Sequence, residues 1–437
     1  MYACPNCGGN LKFDIPSQQL GCEYCQTKVD VYSFEDKNPA TEKQTEFDAT
    51  IFSCPQCGGE ILSTDTSAAE FCTFCGASTI LHSRLSKEKR PNYIIPFQKT
   101  KEDCKNAYSE LMKKAIFAPD ALKNPKYIDG FRGIYMPYWA FHLVQDGAFS
   151  IKASKSKRRG DYIYTDHYLL TGEMDAYYKG LSYDASSSFD DNISAKIAPY
   201  DVKGMKAFTP AFLSGFYADI ADVDPETYKN DAENIAVRNS TNAIYSEFSG
   251  INMEPILNPD VLHTQVKEID SAMFPVWFMS YRNAGRVAYA TVNGQTGKVV
   301  TDLPVDTKKY GIGSLLLAIP IFLLLNLLLT ITPFALLIIT AILAFISLLI
   351  YSYEITAIKE KEKMQTKYSA FIACIGAIII CAIIAIIQPV SDIFYYGTAI
   401  LSLSAIFYAF KDIIEYYNIL ATRKLPQFDR TGGDDRA

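Results

Sequence analysis

The stretch CPNCGGNLKFDIPSQQLGCEYC, residues 4–25, holds two C-x-x-C pairs separated by fourteen residues. The pattern returns as Cys54, Cys57, Cys72 and Cys75, with the same internal spacing and an offset of 50. A tetrahedral Zn²⁺ takes four thiolates, and each tight C-x-x-C turn supplies two of them. Gly8 and Gly58 follow the first pair of each set and suit the sharp turn behind the metal. A unit of roughly 25 residues cannot bury a core. Bound metal replaces that core, at an apparent binding free energy of about 10–16 kcal/mol. The duplication therefore predicts two small β zinc ribbons, residues 1–35 and 50–82. Their ligands are Cys4, Cys7, Cys22 and Cys25, then Cys54, Cys57, Cys72 and Cys75. The two Zn²⁺ ions are structural, because four thiolates leave no coordination position open for chemistry.

Thiolates that bind metal need a reducing compartment. The start, Met1-Tyr2-Ala3-Cys4, has no basic or apolar leader region, so no secretory signal is expected. The ribbons should face the cytosol. Residues 1–90 hold 8 Lys/Arg against 12 Asp/Glu. Affinity for a phosphate backbone comes from cations displacing counterions, so an acidic module favours protein partners over nucleic acid. The polar stretches EDKNPATEKQTEFDA (35–49) and SRLSKEKRP (83–91) read as linkers, which leaves the ribbons mobile.

Residues 92–305 read as an α+β cytosolic domain with an antiparallel sheet. YIIPF (93–97) is a short strand, and Thr100 and Asp103 form a capping box. Cys104, Tyr108, Leu111 and Met112 follow at helical spacing, so Cys104 is a core thiol. Aromatic and β-branched runs at 133–153 and 161–178 read as strands. Asp224-Pro225 opens a helix reaching about Phe248. FPVWFMSYRN, RVAYATV and KVVT return to strand, with Asn293-Gly294 in the last turn. No catalytic motif stands out, and no enzyme is expected. GQTGKVV lacks the Gly and the Ser/Thr of a phosphate loop, having Val292 and Val299 there. The four His at 82, 142, 167 and 263 are scattered, although His142 and His167 both fall in strands and could meet. Lys152, Lys155, Lys157, Arg158 and Arg159 cluster in a hairpin loop, a contact for anionic lipid or for nucleic acid.

Residues 310–353 contain no charged side chain. As helix they would run about 66 Å, against a hydrocarbon core of about 30 Å, so they must cross twice, with the break at Thr330–Pro333. Further charge-free stretches follow. The expectation is a four-helix all-α transmembrane region (310–415), with helices near 311–330, 333–352, 368–389 and 393–411, and a cytosolic tail at 416–437. Lys308 and Lys309, the lysines at 359–367, and Lys411, Arg423 and Lys424 flank one side only, which puts both termini in the cytosol. Within the spans only Asn326, a few hydroxyls, Cys374 and Cys381 are polar, too few ionisable groups for a transport path.

Two C-P-x-C-G-G ribbons, YIIPFQKTKEDCKNAYSELMKKAIFAPDAL, IYMPYWAF, AYATVNGQTGKVVTDLPV and the apolar C-terminal region together resemble the zinc-ribbon membrane proteins of Gram-positive bacteria. These carry labels such as transcription-factor-IIB-type zinc ribbon, or helicase- or primosomal-protein-like. The resemblance implies a multi-pass cell-membrane protein and a tethered adaptor or scaffold in envelope stress or membrane organisation. Flotillin-like, TPM-domain or phage-shock-like proteins are its implied partners. The eight cysteines are its implied zinc ligands. A membrane-tethered nucleic-acid binder and a small transporter or channel are the competing expectations.

Overall fold

The computed structural model describes residues 2–34, 46–63, 72–77, 82–248, 250–256, 262–283, 285–328, 331–362 and 368–428. The expected linker is outside this set at 35–45, as are the tail residues 429–437.

The first cysteine segment folds as β1 (Leu11–Asp14), β2 (Gln19–Cys22) and β3 (Lys28–Val29), a three-stranded antiparallel sheet. The alternation of apolar and polar residues puts Leu11, Phe13 and Leu20 inward. Phe13 packs on Phe212 and Phe216, with ring centroids at 5.3 and 6.4 Å. Its N–H donates to the Ser214 carbonyl across 3.0 Å. The segment is therefore docked on the body of the protein by its hairpin, which corrects the expectation of mobility.

The second cysteine segment is built into the main sheet. β4 (Glu46–Ser53) pairs with β5 (Glu60–Ser63) and with β6 (His82–Lys89), both antiparallel. The stretch read as a linker at 83–91 is therefore mostly the edge strand β6. Its Lys and Glu side chains suit an edge, which charge protects from further pairing.

β7 (Tyr93–Ile94) leads to α1 (Lys101–Lys114). Thr100 Oγ1 accepts from the Asp103 N–H, and Asp103 accepts from the Thr100 N–H. Cys104 is fully buried on the inner face of α1. After the single turn α2 (Pro125–Ile128) come two long strands, β8 (Arg132–Arg159) and β9 (Tyr162–Asp184). α3 (Asp191–Ile197), β10 (Lys206–Ala207) and β11 (Tyr217–Ala218) follow. Asp224 caps a 3₁₀ turn at Pro225–Tyr228, which runs on into α4 (Lys229–Glu247). β12 (Asn252–Met253), β13 (His263–Asn283), β14 (Arg286–Asn293) and β15 (Val299–Thr301) complete the soluble part. β13 pairs antiparallel with β8 and β14, and α4 covers Phe141 and Leu143.

The main sheet is mixed, not purely antiparallel: β11 runs parallel to β8, and β13 parallel to β7. β11 also pairs antiparallel with β5. It thereby joins the second cysteine segment to the central strands.

α5 (Thr307–Leu328), α6 (Pro333–Glu362), α7 (Ser369–Ile387) and α8 (Ile393–Ala421) are the C-terminal helices. Among the described residues three are long and apolar enough to cross a membrane, at Pro333–Glu360, Ser369–Ile387 and Ile393–Ala421. They coincide with three of the four expected spans. The first expected span, 311–330, coincides with α5, but residues 329–330 and the side chains at 322 and 324–328, Asn326 among them, lie outside the described residues. α6, α7 and α8 pack on one another. α8 outruns the expected end at 411 by nearly three turns, and β16 (Arg423–Lys424) then pairs antiparallel with β14.

Candidate metal centres

In each cysteine set the four Sγ atoms all lie within 4.8 Å of one another. Cys4–Cys25 and Cys7–Cys22 are 3.5 and 3.4 Å apart, and Cys54–Cys75 and Cys57–Cys72 are 3.8 and 3.7 Å. Zn–S bonds of about 2.3 Å at tetrahedral angles put neighbouring sulfurs about 3.8 Å apart. All eleven cysteines are free thiols. The donor set and spacing fit a four-thiolate metal ion in both places, compatible with two zinc sites.

The knuckles are copies of one another. Cys4 N–H donates to Gly9 O and Gly8 N–H to Cys4 O. Cys54 N–H donates to Gly59 O and Gly58 N–H to Cys54 O. Gly8 and Gly58 have φ of +73° and +75°, where a side chain would be strained. In the second knuckles Cys22 N–H meets Thr27 O, and Cys72 N–H meets Ala77 O. At the left-handed position Gly76 is matched by Gln26, at φ +58°. Thr27 Oγ1 lies 3.1 Å from Cys25 Sγ, and this hydrogen bond lowers that thiol to about 6. A thiolate is the form a metal takes.

Their surroundings differ. All four sulfurs of the second centre belong to buried residues, whereas Cys7 is exposed and Cys25 half-buried. Phe74, between Cys72 and Cys75, is 1% exposed. It packs against Phe278 at 6.4 Å and Phe428 at 5.6 Å, and its carbonyl accepts from Tyr289 Oη at 2.9 Å. Arg282 donates to Gln56 Oε1 across 2.8 Å, and Phe428 N–H donates to Cys57 O across 2.7 Å. The chain thus comes back from α8 to close the second centre. On the way Arg423 binds Asp190 at 3.1 Å and also Asp302, and lies over the Tyr289 ring at 5.2 Å. Arg286 donates to the Ile419 and Thr422 carbonyls at the end of α8. Sequence reasoning did not mark Phe74 or Phe428, and it used Arg423 only as a cation flanking the last span. The offset of 50 that aligns Tyr24 with Phe74 was the one available signal.

The structure does not bring His142 and His167 together. His167 pairs with Ser154, twelve positions along β8 from His142, on the order of 40 Å at the rise of a strand. His142 Nε2 instead meets Asp270 at 3.1 Å, both buried. Burial raises the Asp270 carboxyl, against the pull of the histidine. Lys152, Lys155, Lys157, Arg158 and Arg159 do lie together, but on strand, not in a loop. They form the outer end of β8, in register with β9 from Arg159↔Tyr162 to Lys152↔Leu169. Lys157 faces Tyr164 and Arg159 faces Tyr162, and both tyrosines are exposed. This tip is at the opposite end of β8 from Arg132, whose neighbours on β13 and β14 lead to β16 and α8.

No protein-family model and no solved structure matches the chain. Among curated proteins, the uncharacterized protein YdjG of Bacillus subtilis (strain 168) is 34% identical over 315 residues, covering 70% of this chain and 91% of the relative.

Proposed function

We propose, for a chain that belongs to the same family as YdjG of Bacillus subtilis, a cell-membrane adaptor without catalytic activity, whose cysteine knots hold structural zinc and bind protein partners on the cytosolic side. The observation that carries this reading is the composition of the two centres. Four thiolates fill a tetrahedral shell, so the metal has no position at which to bind or activate a substrate. What remains for such a centre is to hold a surface in shape. In this reading the knots are zinc ribbons of the transcription-factor-IIB type, and envelope stress or membrane organisation is the setting.

The multi-pass topology is part of the proposal. β15 leads into α5 and β16 follows α8, and both strands pair with β14. A chain that leaves a sheet and comes back to the same sheet crosses a bilayer an even number of times. With α6, α7 and α8 as three spans, α5 is the fourth. Both termini then share the side of the thiols, and the lysine bias and the reducing environment make that side the cytosol.

Affinity purification of the full chain from detergent-solubilised membranes tests the adaptor reading. A reproducible partner set is expected, lost on Cys7→Ser/Cys25→Ser with the second centre still loaded. A partner set unchanged by that variant would sink it. A transporter or channel is the reading that measurable flux in proteoliposomes would favour.

One observation favours a second reading, nucleic-acid binding at the β8–β9 tip. Exposed Tyr162 and Tyr164 lie across from Arg159 and Lys157, and aromatic faces beside cations suit stacked single strands. Its mark is salt-dependent binding of an oligonucleotide by the detergent-solubilised chain, with a shallower salt slope in Arg158→Ala/Arg159→Ala. Anionic lipid would compete for the same cations.

A further inference from the structure

We infer that the outer face of the first centre, around Tyr24 and the carbonyl of Cys7, is a docking site for an extended segment of a separate protein that carries an aromatic side chain. The inference rests on the adaptor reading and names the place where it acts.

The duplicated centres share their backbone hydrogen bonds and their left-handed positions, so a surface element of one has a counterpart in the other. In the second centre that surface is occupied. Phe428 reaches it from the segment after β16, gives its N–H to the Cys57 carbonyl at 2.7 Å and sets its ring edge-on to Phe74 at 5.6 Å. Gly59 permits the approach: a Cβ there would lie 2.7 Å from the Phe74 ring and 3.2 Å from the Phe428 ring. Every receiving element recurs in the first centre. Gly9 lies under Tyr24 in the same way, with a Cβ position 2.6 Å from that ring. Among the described residues no backbone N–H reaches the Cys7 carbonyl. Tyr24 is 81% exposed where Phe74 is 1% exposed. The first segment docks on the body through Phe13 on its hairpin, and this turns the knuckle outward.

A separate protein is favoured over a second copy of this chain. The chain's own aromatic segment is already held at the second centre, by the Arg423 ion pairs and the β16 pairing. A second copy would have to break those contacts to donate it.

The test uses the full chain in detergent and, as probe, a fluorescein-labelled peptide of residues 422–428, Thr-Arg-Lys-Leu-Pro-Gln-Phe. Saturable binding is expected. It should weaken at least tenfold with Tyr24→Ala, or with alanine in place of the peptide's phenylalanine, and Tyr24→Phe should restore it. Two metal ions per chain in Tyr24→Ala would show that the knuckle is intact. Absence of binding, or binding indifferent to Tyr24→Ala, would overturn the inference. A dimer of the free chain that Tyr24→Ala dissociates would overturn it in favour of self-association. Failure here leaves the membrane purification result standing, and failure to retrieve partners leaves the peptide result standing, so the two ideas fall separately.

Discussion

Phe428 gives its backbone N–H to the carbonyl of Cys57 across 2.7 Å, so the segment that follows the last apolar helix forms part of the wall around the second metal centre. Among the described residues the first centre has no such wall, and its Cys7 is open to solvent.

This difference should separate the two metals in time. With excess chelator the full chain is expected to release one equivalent of zinc quickly and the other slowly. Phe428→Ala should accelerate only the slow phase, at least several-fold. Metal release followed with a colorimetric zinc indicator checks this, and a single phase of two equivalents would contradict it.

The same substitution at duplicated positions should have unequal effects. In Gly9→Ala the new methyl meets the ring of exposed Tyr24, which can swing away, and a loss under about 1 kcal/mol is expected. In Gly59→Ala it meets Phe74, hemmed in by Phe278 and Phe428, and overpacking of that kind costs about 1–3 kcal/mol. Thermal melts of metal-loaded protein would show the difference.

Asp219 is buried on the loop after β11, where it accepts from Ser186 Oγ at 2.5 Å and from Ser188. Burial raises its carboxyl to about 6, above the roughly 3.9 of an unfolded chain. Between those values the folded protein holds the proton more tightly. The stability this contributes is full below about pH 4 and is lost as pH rises through 6. Asp219→Asn should therefore be more stable than the parent at pH 8, and its advantage should shrink by about 1 kcal/mol on going to pH 5. Paired urea titrations at the two pH values measure it, and metal loss on acidification affects both proteins alike.

Arg423 lies between two carboxylates. Burial pushes Asp190 up, but the guanidinium hydrogen bond and charge hold it below its ordinary range. Removing the cation takes the shared counter-charge from half-buried Asp190 and Asp302, which costs about 3–5 kcal/mol for a fully buried pair and less here. Arg423→Ala should open residues 422–428 to limited proteolysis. Arg423→Lys should not rescue, because an ammonium cannot fork to both acids.

What the sequence revealed was local chemistry. Cysteine spacing predicted both sulfur tetrads, Thr100 and Asp103 the start of α1, and apolar runs α6, α7 and α8. What it hid was pairing at a distance. β6 has a strongly charged composition and reads as linker, yet it is a strand because main-chain hydrogen bonds to β4 do not depend on side-chain polarity. β11 is only two residues long, too short for periodicity, yet it stitches the second cysteine segment to β8. Nothing local to Tyr24 or Phe74 says that one faces water and the other the core.

The contact between Phe428 and Cys57 also works in both directions. If metal at the second centre favours the seated tail, the seated tail must favour the metal by the same factor, since coupling between two equilibria is reciprocal. A pull on α8 that unseats Phe428 would then lower zinc affinity many residues away. Conversely, zinc starvation would slacken the tether between the sheet and its last helix, so that mechanical load and metal supply become two inputs to a single balance.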